Sequence, residues 1–223
     1  MGEETGRSRP GARRRSPAAR PTDDELLDAA RAVFAERGFQ RATMGAIAER
    51  ADSTKPTLYA HFGDKEALYR SAVSREADAL RRWVTTAYES AATLTVDQRV
   101  HVYVMALFTY ATAHPDGFRI LFDSPATGDA ARIRRGLVDT ITERVADQIR
   151  RYLAGRDRSA GPSADLLAAM MVGIVGQAAE YTLRTDDFEP LAAGEIATRF
   201  IMAALSNLDP GVLEPLDRPA RAQ

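Results

Sequence analysis

The side chains with the plainest chemistry lie close together in the segment TKPTLYAHFGDKEAL, which begins at Thr54 and ends at Leu68. It offers two threonine hydroxyls (Thr54, Thr57), a phenol (Tyr59), an imidazole (His61) and two ammonium groups (Lys55, Lys65). Read as a helix start, Thr54 is an N-cap, and Pro56 stands in the first turn, where a missing N–H costs nothing. Leu58 and Phe62, four apart, then bury one face against Phe34 and Ile47, and Lys55, Thr57, Tyr59 and His61 are left on the others. Hydroxyls, a phenol and an ammonium around a helix N-terminus are groups that grip phosphate oxygens. Lys65, opening the next helix, adds a cation on the same side. Other proteins carry an exposed tyrosine and histidine as ordinary surface residues, so this chemistry needs a structural frame before it means anything.

Catalysis has less to build on. The chain has no glycine-rich phosphate loop, no Gly-x-Ser-x-Gly and no His-Glu-x-x-His. Its three histidines include none in a Glu-x-x-His pair, so a di-iron carboxylate bundle lacks its ligands. The absence of cysteine excludes disulfides and thiolate metal sites. The reading is therefore no enzyme, no cofactor and no metal.

The elements that must position the polar cluster are helices throughout. Apolar residues recur at spacings of three and four, and no stretch alternates with period two. Thr22 with Glu25 forms a capping box that opens a first helix, with Leu26, Leu27, Ala30, Val33 and Phe34 as its buried stripe. Gly38 is expected to end it in a left-handed conformation. Two short helices follow, 43–51 and 55–62, joined only by Asp52-Ser53-Thr54. So tight a joint makes them cross steeply, as in a helix-turn-helix. The second helix of such a pair can enter a DNA major groove, although helix pairs of this kind also occur in proteins that never meet DNA.

Asp64 caps a fourth helix running to about residue 90. A second capping box, Thr95 with Gln98, opens a helix that Pro115 stops. A short turn carries Phe118, Leu121 and Phe122. Long helices are expected over 129–153, ended by Gly155, and over 163–184 and 190–207. The proline-rich tail from 209 to 223 is expected to fray.

Charge adds a second clue. Residues 1–21 carry six arginines against two glutamates, whereas the whole chain has a net charge of −1. A basic front end on a slightly acidic body suits one end that meets a polyanion; a solvated arm is the other reading. No segment approaches the roughly 20 apolar residues of a membrane helix, and the basic N-terminus lacks the apolar stretch of a secretory signal. A cytoplasmic protein with no membrane partner is expected.

The run LLDAARAVFAERGFQRATMGAIAERADSTKPTLYAHFGDKEALYRSAV closely resembles the DNA-binding domain of TetR-type transcriptional regulators. The likeness covers Ala29-Ala30 and Phe34, the Gly38-Phe39 stop, Thr43 opening TMGAIAERA, and LYAHFGDKEAL, all without a gap. It implies an all-α chain with a three-helix helix-turn-helix domain over 20–80 and a larger helical effector-binding and dimerisation domain over 81–208. By that likeness Thr43, Thr54, Tyr59, His61 and Lys65 correspond to phosphate contacts. Lys55, Pro56 and Thr57 correspond to the tip that faces base edges. One departure is the turn, where the family has glycine and then an apolar residue and this chain has Asp52-Ser53. Asp can adopt the left-handed conformation, but its carboxylate weakens phosphate contact unless it points away or pairs with a neighbour such as Arg50.

For the second domain the likeness implies architecture only. Small residues at 168, 169, 173, 176, 178 and 179 suit close helix approach, either within one subunit or across the four-helix dimer of TetR-type regulators. Trp83, Met105, Phe108, Phe118, Phe122, Met171 and Tyr181 are large side chains on converging helices, candidates for a mostly apolar effector pocket or for plain core. The resulting expectation is a homodimeric repressor released from a near-palindromic operator by a small effector of unknown identity. Two rivals stand beside it: a ligand-binding bundle with a vestigial helix-turn-helix, and a DNA-binding activator that needs no effector.

Overall fold

The computed structural model describes residues 21–122, 128–154, 161–185 and 187–217. The arginine-rich segment 1–19 and the expected stop at Gly155 lie outside these residues. Every regular element among them is helical: α1 (Asp23–Arg41), α2 (Met44–Arg50), α3 (Lys55–Phe62), α4 (Lys65–Ser90), α5 (Val96–Ala113), α6 (Pro115–Phe122), α7 (Gly128–Ala154), α8 (Pro162–Arg184), α9 (Pro190–Asn207), a 3₁₀ turn (Pro210–Val212) and α10 (Glu214–Asp217).

Local chemistry sets most of the starts. Both capping boxes form, with Thr22 and Thr95 accepting from the N–H groups of Glu25 and Gln98, each satisfying a donor that the helix itself cannot. Asp23, Asp24 and Glu25 add negative charge where the α1 dipole is positive. Pro115 both prevents α5 from continuing and begins α6, so the expected short turn is a helix of eight residues.

Gly38 corrects the expectation of a left-handed stop. Its φ of 71° and ψ of 162° kink α1, after which helical structure resumes to Arg41. That backbone region is essentially open to glycine alone.

The boundary expected near residue 80 falls inside α4, which runs unbroken from one domain into the other. A single set of buried side chains follows it, from Leu26, Phe34 and Leu58 through Leu68 and Leu80 to Phe108, Phe118, Leu121 and Ile201. A smaller cluster, Ala146, Ile149, Ala164 and Ala168, pins the end of α7 to the start of α8.

Two further expectations are revised here. By length and composition α8 is apolar enough to cross a membrane, with a mean hydropathy of 1.4 and only 22% of that window buried. It packs against α7 and α9 and leaves much of its surface uncovered. The tail does not simply fray from 209, because Asp217 accepts hydrogen bonds from the Gly161 and Ser163 N–H groups (both 3.0 Å) and the Ser163 hydroxyl (2.8 Å). The Ser163 N–H is the main cause holding this carboxyl below its ordinary range.

Candidate nucleic-acid interface and internal cavity

The helix-turn-helix forms from its own caps. Thr43 accepts from the Ala46 N–H at 3.1 Å and Thr54 from the Thr57 N–H at 3.3 Å. The turn between α2 and α3 closes through the Ser53 N–H, which donates to the Ala48 carbonyl (2.8 Å). Asp52 occupies the left-handed position, at φ 47°, as its residue type allows. Arg50 does not neutralise it, because its guanidinium pairs with Glu36 (3.6 Å).

Leu58 anchors α3 with no exposed surface, a burial that stabilises the pair by about 2 kcal/mol. Thr43, Lys55, Pro56 and Tyr59 are left exposed, and Tyr59 keeps half of its area in solvent. Gly45 brings two of them together. A Cβ there would lie 3.7 Å from the Thr43 hydroxyl and 2.8 Å from the Lys55 Cε, so any side chain would push the ammonium aside.

The other four residues of the polar cluster are already engaged. The Thr57 hydroxyl shares a hydrogen bond with that of Thr54 (2.8 Å). His61 Nδ1 contacts Asp23 at 2.5 Å, tying α3 to α1. Lys65 departs most from expectation. Instead of facing outward, its Nζ donates to the carbonyls of Phe39 (3.0 Å) and Ala42 (3.1 Å) and lies 4.5 Å from the Phe39 ring centre. It thereby caps the carbonyls that end α1 and holds the approach to Thr43.

Behind this surface a buried carboxylate joins four helices. Glu76 of α4 is 4% exposed. Its Oε1 lies 3.3 Å from Arg31 of α1, and its Oε2 accepts from the Tyr110 hydroxyl of α5 at 3.4 Å. The same oxygen would stand 2.2 Å from a Cβ on Gly117 of α6, so only glycine leaves it room. Arg75 extends the network to Asp28 (2.6 Å) and to the Asp24 carbonyl (3.1 Å). Burial first, and the Glu76 charge second, push the Tyr110 phenol well above its ordinary range, keeping it a neutral donor. No sequence periodicity marks Glu76, since it sits at a core position of α4 that the pattern assigns to apolar residues.

The second domain holds a mostly apolar, partly open cavity of about 480 Å³ that also carries the carboxylates of Asp139 and Glu180 on its lining. Its walls come from α4 (Val84, Tyr88), α5 (Tyr103, Val104, Leu107), α6 (Phe122), α7 (Val138, Ile141, Val145), α8 (Met171, Val175) and Ile201 of α9. A volume in this range suits one small ligand.

Of the expected lining residues, Phe122 and Met171 reach the cavity. Phe108 and Phe118 are sealed core. Met105 packs with Phe108 against Gly194. Trp83 donates its indole N–H to the Ala106 carbonyl (2.9 Å) and remains partly exposed. Tyr181 borders a shallow surface hollow on α8 and stands near Phe188. The stacked pair Tyr88 and Tyr103, with ring centres 3.7 Å apart, was missed, as was all of α7. An aromatic at a helical position reads as core in a sequence, and a void has no residue of its own to announce it.

Comparison with known proteins agrees with this architecture. The family described as bacterial regulatory proteins, tetR family, matches residues 26–72. The HTH-type transcriptional activator FasR of Mycolicibacterium smegmatis is 29% identical over 213 residues, covering 92% of this chain and 94% of that protein. The HTH-type transcriptional repressor KstR2 of Rhodococcus jostii is 33% identical over 122 residues, covering 44% and 60%. Among solved structures, the regulator FadR of Bacillus subtilis in complex with stearoyl-CoA superposes with a TM-score of 0.69 at 14% identity, covering 81% of this chain and 97% of that one.

Proposed function

Since the chain belongs to the TetR family of DNA-binding transcriptional regulators, we propose that it is a homodimeric repressor whose hold on a near-palindromic operator is released by an apolar effector. The observation that carries this reading is the pairing, in one chain, of an exposed α3 surface with a separate apolar cavity of about 480 Å³. Thr43, Lys55, Pro56 and Tyr59 meet the DNA directly. Thr54 and Thr57 present the α3 N-terminus to phosphate, His61 does so on release from Asp23, and Lys65 acts from behind by fixing the end of α1.

Dimerisation is supported by the apolar side chains left in solvent on α8 and α9, among them Met170, Ile196 and Phe200, each more than half exposed. Gly173, which borders the surface hollow on α8, has nothing within 4 Å of its added Cβ position, which leaves room for a partner helix. Exposed apolar side chains on two helices packed together are of the kind that mark an interaction surface, and a two-fold pair would set two α3 helices about 34–36 Å apart, one turn of DNA.

Release follows from the joint at Glu76. An effector that spreads the cavity walls moves α5 and α6, which hold Tyr110 and Gly117 against Glu76. α4 and α1 shift with them, so the separation of the two α3 helices changes. The size of the response equals the effector's differential affinity for the two arrangements.

A second reading, an effector-responsive activator, is favoured by the relative that matches nearly the whole length, which is named an activator. Fragments selected from sheared source-genome DNA by the purified protein at about 150 mM salt test the shared part of both readings. A near-palindrome enriched by the wild type but not by Tyr59→Ala is expected, with affinity that falls steeply as salt rises. No enrichment by the wild type would favour a ligand-binding bundle instead. Placing the recovered site before a reporter gene separates repressor from activator.

A further inference from the structure

The helix-turn-helix presents little free positive charge. Residues 37–65 contain five basic side chains: Arg37, Arg41, Arg50, Lys55 and Lys65. Arg37 and Arg50 both pair with Glu36 (3.9 and 3.6 Å), and Lys65 is engaged by the carbonyls that end α1. Arg41 turns its Nε to the Arg37 carbonyl (3.1 Å). What remains is Lys55 and the outer nitrogens of Arg41. Against them stand the exposed carboxylates of Glu49 and Asp52, which have no ion pair among the described residues. A surface so nearly neutral supplies few of the phosphate contacts from which DNA affinity largely comes.

The missing cations stand next to it in the chain. Arg7, Arg9, Arg13, Arg14, Arg15 and Arg20 precede Pro21, with only Glu3 and Glu4 to offset them. The fold fixes where this segment joins the domain. Thr22 is the N-cap of α1, and Asp23 beside it lies 2.5 Å from His61 of α3, so residues 1–20 are attached next to α3. The acids around that point are already engaged. Asp23 is held by His61, Asp24 and Asp28 by Arg75 (3.6 and 2.6 Å), and Glu25 by the Thr22 N–H (2.8 Å). The arginines therefore lack a free carboxylate in the first turns of α1 to draw them back. Twenty residues can reach up to about 70 Å, twice the roughly 34 Å of one turn of DNA.

We propose that residues 1–20 are a second DNA-binding element, whose arginines neutralise backbone phosphates beyond the bases that α3 contacts. The operator is thereby lengthened by flanks held without regard to sequence. This rests on the reading of α3 as the helix that meets the operator. The test uses the full chain in three forms: the wild type, a glutamine variant (R7Q, R9Q, R13Q, R14Q, R15Q and R20Q) and the matching variant with lysine at the same six positions. Each is titrated between about 50 and 200 mM salt onto three duplexes. One is the recovered operator trimmed to the outer edges of its half-sites. The second carries about one helical turn of arbitrary sequence on either side, and the third is an unrelated duplex of that longer length.

The wild type is expected to hold the flanked operator about tenfold tighter than the trimmed one, whatever the flanking bases. The glutamine variant should lose that gain. Its slope of log K against log salt on the flanked operator should be shallower by about 2 or more, since each phosphate contact contributes roughly 0.9. The lysine variant should keep the gain, because a phosphate can be met by a point charge. A glutamine variant that keeps the wild-type slope and gain, or a lysine variant that loses the gain, would overturn the phosphate contact and leave the reading of α3 standing. A wild type that holds neither operator more tightly than the unrelated duplex would overturn both.

Discussion

Leu58 and Leu107 are leucines on the inner faces of helices in the same chain, yet their surroundings are opposite. Leu58 is sealed completely between α3 and the helices beneath it. Leu107 is half-buried and borders a void of about 480 Å³. The DNA-reading region, with Phe34, Ile47, Leu58 and Leu68 all 2% exposed or less, is packed solid, and its polar groups are tied by caps. The region around the cavity is hollow. A reader of a fixed helical repeat needs side chains held in one geometry, whereas a sensor needs walls that can move. Packed interiors transmit displacement because they cannot absorb it, so under the proposed function a shift begun in the hollow region would reach α3 through the solid one.

The sharpest test of this contrast is one substitution made twice. Leu58→Ala should cost about 2–5 kcal/mol, because a cavity opens where none existed. Leu107→Ala should cost less, about 1–2 kcal/mol, because its neighbours already face empty space. Urea unfolding of both variants measures the difference, and equal losses would break the contrast.

Gly117→Ala comes next. It places a methyl group against the Glu76 carboxylate, and overpacking of this kind costs about 1–3 kcal/mol. Its distinctive result should be weakened coupling, with operator affinity responding less to effector while effector affinity holds. Filling the void has the opposite sign: Val138→Phe should raise stability by about 1 kcal/mol and abolish effector uptake. Loss of stability there would mean that the space is not truly free.

The smaller effects lie at the edges of the two regions. The Asp217 carboxyl is held below its ordinary value of 3.8 by its hydrogen bonds to Ser163 and Gly161. The folded value is the lower one, so the docking of α10 on α8 contributes fully above that ordinary value and is lost as the pH falls through the lowered one. Asp217→Asn should blunt this acid dependence, as followed by thermal melting between about pH 2 and 6. Asp52→Gly should gain at most about 1 kcal/mol by relieving the left-handed strain, and it should tighten operator binding by removing a carboxylate near phosphate. Weaker binding would show that Asp52 serves recognition rather than tolerating the turn.

The same contrast explains what the sequence revealed. Thr43, Thr54, Pro56 and Asp64 announce their helix starts through signals a few residues long, so the helix-turn-helix could be read directly. Lys65 could not be, because the carbonyls that turn it inward belong to residues 39–42, which only the folded chain brings near. Glu76 is invisible for the same reason, its partners lying on α1, α5 and α6. The cavity is the extreme case, since six helices must fail to meet for it to exist. Trp83 and Phe108 were reasonable candidates by size, yet one anchors to a backbone carbonyl and the other fills the core.

The most direct test of the coupling between the two regions is the operator Kd of the wild type and of Val138→Phe, measured with and without an apolar ligand that binds the cavity. The ligand should shift the wild-type Kd by about fivefold or more, the lower range of measured couplings, and leave the filled variant unmoved. A wild-type Kd that stays constant while the ligand demonstrably occupies the cavity would contradict the coupling.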